Sequence, residues 1–226
     1  MKKNKFKEYA YKDLNNYFEK KDQILMGSMY SYTWENDPKH VVFTTSRYKF
    51  VGKMLQGKNK VLEIGCADAW PSRIVKQFVN NLTVSDHDEN FIKLAKNTTS
   101  KNFKMNYLVH DILSGPIKGK KFDAIFSLDV LEHINKNKEN RFLKNILKNL
   151  HKNGTFLVGI PSIESQKHSK SMKEKGHVNC KTGDDFKKLL SKFFYNVYLF
   201  SMNDEIIHTG FSKMANYLIC ICNCKK

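Results

Sequence analysis

Residues 61–70 read VLEIGCADAW, an apolar run that leads into a glycine turn. The run at 61–64 is typical of a buried strand, and the residues from about 72 onward are typical of a helix. Gly65 stands at the turn, where the absence of a side chain lets the backbone approach a ligand closely. The pattern G-x-G-x-x-G is not met, because Ala67 occupies its second position, and no Walker lysine follows. Dinucleotide and triphosphate binding are therefore both disfavoured.

Short apolar runs alternate with helical segments through the rest of the chain. Such alternation predicts an α/β fold, a Rossmann-like, mostly parallel sheet with helices on both faces. A ligand is expected beyond the carboxyl ends of its strands. The predicted strands are 61–64, 82–84, 105–109, 122–128, 155–160, 195–202 and 216–222, and the predicted helices are 38–55, 72–79, 88–97, 139–150 and 183–193.

The N-terminal part has a different pattern. Residues 6–25 predict a helix with aromatic residues at intervals, and residues 26–37 predict irregular chain. We therefore expect an N-terminal helical extension over residues 1–40 and one α/β domain over residues 41–226. Trp34 is expected to lie in the core.

The chain has 226 residues and a formal net charge of +17, which first suggests a nucleic-acid partner. Only three of its 39 basic residues are arginine, the side chain that phosphate and base recognition favours. The positive charge therefore has two possible interpretations: a surface of solvated lysines, or an electrostatic field that attracts an anionic ligand.

The five cysteines are an odd number, and the N-terminus lacks the apolar core of a secretory signal. These features predict a cytoplasmic protein with free thiols. No apolar run is long enough for a membrane span. Cys220, Cys222 and Cys224 lack zinc-knuckle spacing, so no metal is expected.

Acidic residues follow the predicted strands. Glu63 precedes the glycine turn and would favour a cationic ligand. Asp86 lies about 20 residues beyond Gly65, where an acid accepts hydrogen bonds from ribose hydroxyls. Asp111 ends the third strand, where it could accept from an adenine amino group. Asp129, Glu132 and His133 stand at the end of the fourth strand, and both acids are possible catalytic groups beside His133. Each acid alone could equally cap a helix. Together, acids at successive strand ends indicate one ligand-binding edge of the sheet.

Four segments, VLEIGCADA, TVSDHDENFIKLAK, LVHDI and FDAIFSLDVLEHI, resemble the successive motifs of the class I S-adenosylmethionine-dependent methyltransferases. The resemblance covers about residues 45–200. It implies a seven-stranded sheet closed by a C-terminal antiparallel hairpin, with S-adenosylmethionine as cofactor and S-adenosylhomocysteine as product. The family usually has glycine where Ala67 and Ala69 stand. The implied cofactor-binding residues are Glu63, Gly65, Cys66, Asp86, His87, Asp111, Ile112, Ser127 and Leu128, with Arg47 as our candidate for the cofactor carboxylate.

Methyl transfer needs alignment, and it needs a base when the acceptor is a hydroxyl or an amine. His133, after the fourth strand, and His177, in the segment 161–185, are the candidate catalytic bases. If the acceptor oxygen is already anionic, both histidines would bind it instead. The candidate substrate-binding residues are Tyr30, Tyr32, Asp129, Asn179 and His208.

The segments SYTWENDPKH, GHVNCKTGDD and FSMNDEIIHTGF also resemble methyltransferases encoded with cell-surface polysaccharide pathways, including capsule modification. This resemblance implies O-methylation of a sugar, a nucleotide sugar or a phosphoramidate-type precursor. A nucleic-acid methyltransferase is the main alternative, although the Asn/Asp-Pro-Pro-aromatic signature is absent. A non-catalytic cofactor-binding protein is a third. The aromatic N-terminal helix could also pack against a second copy in a homodimer.

Overall fold

The computed structural model describes residues 26–166 and 176–226, which form a mixed sheet covered by helices on both faces. The helices are α1 (Ser28–Asn36), α2 (Pro38–Met54), α3 (Ser72–Lys76), α4 (Glu89–Asn97), α5 (Glu139–Asn149), α6 (Ile163–Gln166) and α7 (Gly183–Leu190). The strands are β1 (Lys60–Ile64), β2 (Asn81–Asp86), β3 (Asn106–Val109), β4 (Phe122–Leu128), β5 (Leu150–Pro161), β6 (Phe194–Asn203), β7 (Ile206–His208) and β8 (Tyr217–Lys225).

The strand order is β3-β2-β1-β4-β5-β8-β6-β7. The first five strands pair in parallel, and β8 runs antiparallel between β5 and β6. This order reverses between β1 and β4, so the carboxyl ends of those two strands flank the crevice where a ligand is expected. The predicted mostly parallel α/β sheet with an antiparallel C-terminal hairpin is confirmed.

The predicted strand count of seven is wrong, because the sheet has eight strands. The additional strand is β7, three residues long, which pairs with the end of β6 at the edge of the sheet. The chain reverses at Asp204, whose φ is +50°. A three-residue strand is too short to give a periodic signal in the sequence.

The two faces of the sheet are covered by two apolar clusters, in agreement with a doubly covered sheet. Neighbouring strand residues alternate between them: Ile125 packs with helices α5 and α7, and Phe126 packs with α2, α3 and α4. Both side chains are fully buried. Among the described residues, no helix is both long and apolar enough to cross a membrane.

The N-terminal segment departs from expectation, because residues 28–36 are helical rather than irregular. Helix α1 has no side-chain cap of its own. Instead the Asp68 carboxylate accepts from the backbone amides of Met29 and Tyr30 at 3.0 and 3.4 Å. A cap supplied from so far along the chain leaves no local signal. Trp34 is 57% exposed, so its predicted core position is wrong. The predicted helix over 6–25 lies outside the described residues.

Candidate active site

The turn after β1 is held by the end of β2. Gly65 has a φ of +77°, and the amides of Gly65 and Cys66 both donate to the Ser85 carbonyl, at 2.8 and 3.0 Å. The next amide, that of Ala67, donates to the Asp86 carboxylate at 3.0 Å. Ala67 itself has a φ of +47°. The turn therefore keeps a left-handed course with alanine where glycine is usual.

Asp86 is buried at the end of β2, and each of its carboxylate oxygens accepts one backbone amide. The second of these comes from Asp88, at 3.0 Å. A carboxylate oxygen accepts two hydrogen bonds, so each retains capacity for a ligand hydroxyl. His87 lies 3.3 Å from Asp86 with its side chain largely exposed.

Beyond β3, Asp111 is exposed and accepts from the Leu113 amide at 2.8 Å. Ile112 is buried, and its carbonyl accepts from the Asn145 side chain at 2.8 Å. These residues follow the carboxyl end of β3, so the polar Asp111 and the apolar Ile112 stand beside the Asp86 edge.

The end of β4 brings a second turn toward the first. The Ser127 hydroxyl donates to the Ile64 carbonyl at 3.1 Å, which ties β4 to β1. Asp129 follows Leu128 with a φ of +56°. Its amide donates to the Tyr217 hydroxyl at 3.1 Å and to the Gly159 carbonyl at 3.2 Å. These contacts direct the Asp129 side chain toward α2.

Arg47 on α2 meets that side chain. Its Nη2 atom donates to Asp129 Oδ2 at 3.0 Å and to Thr44 Oγ1 at 3.1 Å. The guanidinium lies 4.2 Å from the centroid of the Tyr217 ring. The residue is 6% exposed, and its Nε atom has no hydrogen-bond partner among the described residues. Arg47 is thus a buried, oriented cation with unused donor capacity.

Glu63 lies beneath the glycine turn rather than in the open crevice. It is 1% exposed, and its Oε1 atom accepts from the Tyr48 hydroxyl at 2.6 Å. Burial raises its pKa to about 7, because the charged form is poorly solvated there.

This pKa predicts a pH-dependent stability. Between about pH 4.5 and 7 the unfolded chain has lost the Glu63 proton while the folded chain keeps it, so stability falls as the pH rises. The total loss is on the order of 3 kcal/mol. We expect Glu63→Gln to unfold at higher urea concentration than the native chain at pH 8, with a small difference at pH 5. Glu89→Gln, on the exposed surface of α4, should keep the native slope, and an equal slope in both variants would contradict the assignment.

A cavity of about 1180 Å³ opens where these elements meet. Helices α1 and α2 form one side of it and the β1 and β4 turns form another. Nine of the predicted site residues line it, namely Tyr30, Tyr32, Arg47, Gly65, Cys66, Leu128, Asp129, His133 and His177. The remaining cofactor candidates lie below or beside it, namely Glu63, Asp86, His87, Asp111, Ile112 and Ser127.

His133 and His177 come together although 44 positions separate them in the sequence. Their ring centroids are 5.1 Å apart. Nδ1 of His133 is 3.1 Å from the Gly176 carbonyl, and Nδ1 of His177 is 2.7 Å from Oε1 of Gln166. Both rings line the cavity, so the fold brings together two candidates that the sequence analysis had named separately.

Two of the predicted substrate-binding residues lie elsewhere. Asn179 donates to Glu139 Oε2 at 3.1 Å and accepts from Lys181 at 2.8 Å, within a buried polar cluster. His208, on β7, pairs with the Asn203 side chain at 2.9 Å. Neither lines the cavity. Their hydrogen-bonding capacity is used within the protein, which sequence position alone did not reveal.

The cavity also includes residues that the sequence did not single out. Tyr48 and Tyr217 orient the acidic groups, and Gln166 holds His177. Tyr217 begins the last strand, and its role depends on β8 inserting beside β5, which is a long-range pairing. Cys66 faces the cavity as a buried thiol whose pKa is raised by burial, so it stays protonated. All five cysteines are free of disulfides.

Comparison with known proteins shows which domain and which fold this chain resembles. A family profile described as "Methyltransferase domain" matches residues 62–158. The N-methyltransferase NodS from Bradyrhizobium japonicum, in complex with S-adenosyl-L-homocysteine, is 18% identical with a TM-score of 0.62, over 85% of this chain and 90% of that one. The plantazolicin methyltransferase BpumL is 16% identical with a TM-score of 0.62, over 85% and 88% of the two chains.

The carboxy-S-adenosyl-L-methionine synthase of Campylobacter concisus is 28% identical over 141 residues. The match covers 61% of this chain and 59% of that protein, so this chain aligns with a little over half of its curated relative. Residues 62–158 thus match a methyltransferase domain, and the chain shares the fold of methyltransferases whose structures contain S-adenosyl-L-homocysteine.

Proposed function

We propose that this protein transfers the methyl group of S-adenosylmethionine to an oxygen of a small polar or anionic acceptor bound in the cavity. The observation that carries the proposal is the cavity itself, because the glycine turn and the His133–His177 pair both line it. That arrangement would place a methyl donor and an acceptor face to face.

The residues along the strand ends suit this cofactor. The turn at Gly65 offers a close backbone approach, since the residue has no side chain, and Asp86 retains acceptor capacity for ribose hydroxyls. Asp111 and Ile112 supply a polar and an apolar contact for adenine. Ser127 and Leu128 would present backbone to the methionine part. The cofactor supplies an activated methyl group on a cationic sulfur, which the acidic groups near the turn would favour.

The amino-acid end of the methionine part carries a carboxylate and an ammonium group, and the cavity offers a partner of opposite charge for each. Arg47 has unused donors for the carboxylate, and the Asp129 carboxylate beside it would accept from the ammonium group. The pairing of Arg47 with Asp129 would position both groups before a ligand binds.

The acceptor side favours a small molecule over a nucleic acid. Helix α1 contributes Tyr30 and Tyr32 to the cavity lining, and the cavity volume of about 1180 Å³ suits a cofactor together with a small acceptor. None of the described lining residues is a lysine, although lysine dominates the charge of the chain. An anionic group would therefore meet His133, His177 or Arg47. The resemblance to capsule-associated methyltransferases supports a phosphorylated sugar, a nucleotide sugar or a phosphoramidate as that acceptor.

The proposal is tested with methyl-labelled S-adenosylmethionine and four acceptor classes: phosphorylated sugars, nucleotide sugars, phosphoramidates and RNA. We expect label transfer to one of the small acceptors. We also expect Asp86→Ala to weaken S-adenosylhomocysteine binding at least about 10-fold, since it removes charge-assisted hydrogen bonds to the ribose. Unchanged affinity would remove the ribose assignment. Transfer to RNA alone, with binding that weakens steeply with salt, would establish the nucleic-acid alternative instead.

A further inference from the structure

Three side chains at one end of the cavity form a compact group of metal-ligand type. They are Glu132, His133 and His177, and one ligand atom from each lies within 4.8 Å of those of the other two. All three line the cavity. Two imidazoles and one carboxylate are a ligand set that divalent transition-metal ions accept in proteins.

The Glu132 carboxylate is the independent reason to consider a cation here. The residue has 0% exposure, and neither of its side-chain oxygens has a hydrogen-bond partner among the described residues. Burial raises its pKa well above the ordinary range, and the nearby Asp129 raises it further. A buried carboxylate without partners is costly unless a cation or a proton compensates it.

The backbone of the same residue fixes the third ligand. The Glu132 carbonyl accepts from the amides of Val178 and Asn179 at 2.8 and 2.9 Å. Those amides directly follow His177, so the segment that carries it is anchored to the short helix Leu131–His133. The three ligand side chains thus belong to one fixed unit rather than to separate loops.

Each histidine ring contacts an oxygen of the kind to which metal-bound histidines donate. Each Nδ1 atom faces an oxygen that only accepts, the Gly176 carbonyl for His133 and the Gln166 side-chain carbonyl for His177. A neutral ring that donates from Nδ1 carries its lone pair on Nε2. Metal-bound histidines usually donate their other ring N–H to such an oxygen, which fixes both tautomer and orientation.

We propose that Glu132, His133 and His177 bind one divalent first-row transition-metal ion at the acceptor end of the cavity. Three protein ligands leave open coordination positions for an acceptor oxygen. This site differs from the sequence expectation of no metal, which considered only cysteine spacing. Binding of the ion requires only these three side chains, whereas the role of the ion in the reaction rests on the proposed function.

In that role the ion lowers the pKa of a bound acceptor hydroxyl, whose proton leaves to solvent. The resulting oxygen forms the new bond to the methyl carbon while the carbon–sulfur bond breaks. The electron pair of the carbon–sulfur bond stays on sulfur, which gives S-adenosylhomocysteine. Neither histidine then acts as a general base, because both side chains are ligands.

The test is titration of the full metal-free chain with Co²⁺, followed by calorimetry and by the visible absorption of the bound ion, with Zn²⁺ as competitor. We expect one Co²⁺ per chain, displaced by Zn²⁺. Glu132→Gln and His133→Ala should each weaken binding by more than about 100-fold. Gln166→Ala, which removes only the contact that orients His177, should weaken it about 10-fold. His151→Ala, an exposed histidine far along the chain from the group, is the matched control and should bind as the native chain does.

Folding is checked separately by the thermal melting of each metal-free variant. Glu132→Gln replaces a buried carboxyl with a neutral group of the same shape, so it should melt no lower than the native chain while losing the increase in Tm that Co²⁺ produces. Absence of stoichiometric binding in the native chain, or binding that survives Glu132→Gln, would overturn the proposal. Binding of S-adenosylhomocysteine to the metal-free chain, measured in parallel, keeps failure of this site distinct from failure of the proposed function.

Discussion

Replacing Gly65 with alanine is expected to lower the free energy of unfolding by about 2–4 kcal/mol and to abolish measurable S-adenosylhomocysteine binding. Two costs add. The φ of +77° is a left-handed conformation that costs an L-residue about 1–2 kcal/mol. A Cβ at this position would also lie 2.2 Å from Cγ2 of Val130, so either the Val130 side chain would have to rotate away or the β1 and β4 turns would have to separate. Separation of these turns would distort the surface that faces the cofactor.

Gly57→Ala is the matched control, because Gly57 has nearly the same φ, +79°, but a Cβ added there would meet no atom within 4 Å. Urea unfolding should show a loss of about 1–2 kcal/mol for this variant, with native ligand affinity. Adding Val130→Ala to Gly65→Ala should recover part of the lost stability. Equal losses at positions 57 and 65 would mean that contact between the two turns contributes nothing.

The glycine turn shows what local sequence predicts well. Local features of the sequence, namely the apolar run 61–64, Gly65 and the acid at 86, each predict the structure of the few residues around them. The observed strands accordingly begin and end within a few positions of those predicted. The long strand β5 departs most at its start, because residues 150–154 are largely polar and do not show the apolar pattern of a strand.

Features that depend on distant contacts escaped prediction. Helix α1 is capped by Asp68, and the cavity is completed by Tyr217 from the last strand. The Glu132 carboxylate also lacked any signal of its special environment, since an acid after a strand commonly caps a helix. Only the fold shows that this side chain has 0% exposure. Burial and the number of hydrogen bonds that a side chain already makes are properties of the packed molecule. They distinguish Arg47, which has unused donors, from Asn179, whose hydrogen bonds are made within the protein.

The net charge of the whole chain, +17, differs from the charge balance of the cavity lining. The described cavity lining contains Asp129, Glu132 and Asp204 but no lysine. Its cationic groups are Arg47 and, when protonated, the histidines. The lysines of the described ranges 26–166 and 176–226 therefore lie outside the cavity lining, where they affect the approach of anions. Recognition within the cavity depends on a few oriented groups, of which Arg47 is the permanently charged cation.

Replacing Arg47 with lysine is accordingly expected to raise the Kd for S-adenosylhomocysteine about 10- to 100-fold, which corresponds to the loss of a charge-assisted hydrogen bond. Lysine keeps the charge but loses the planar fork that pairs with Asp129 at 3.0 Å and stacks on Tyr217 at 4.2 Å. A ligand carboxylate that accepts from two guanidinium N–H groups of Arg47 would keep at most a single contact with the ammonium group of the lysine.

The distinguishing ligand is 5′-methylthioadenosine, which has the adenosine and the sulfur but no amino-acid carboxylate. We expect Arg47→Lys to leave its affinity unchanged by calorimetry, whereas Asp86→Ala should weaken both ligands. Arg141→Lys, at an exposed position on α5, is the control for the substitution itself and should change neither Kd. If Arg47→Lys weakened both ligands equally, Arg47 would act by shaping the Asp129 turn. A loss confined to S-adenosylhomocysteine would place its amino-acid end at the Arg47–Asp129 pair, because the two ligands differ only in the amino-acid chain.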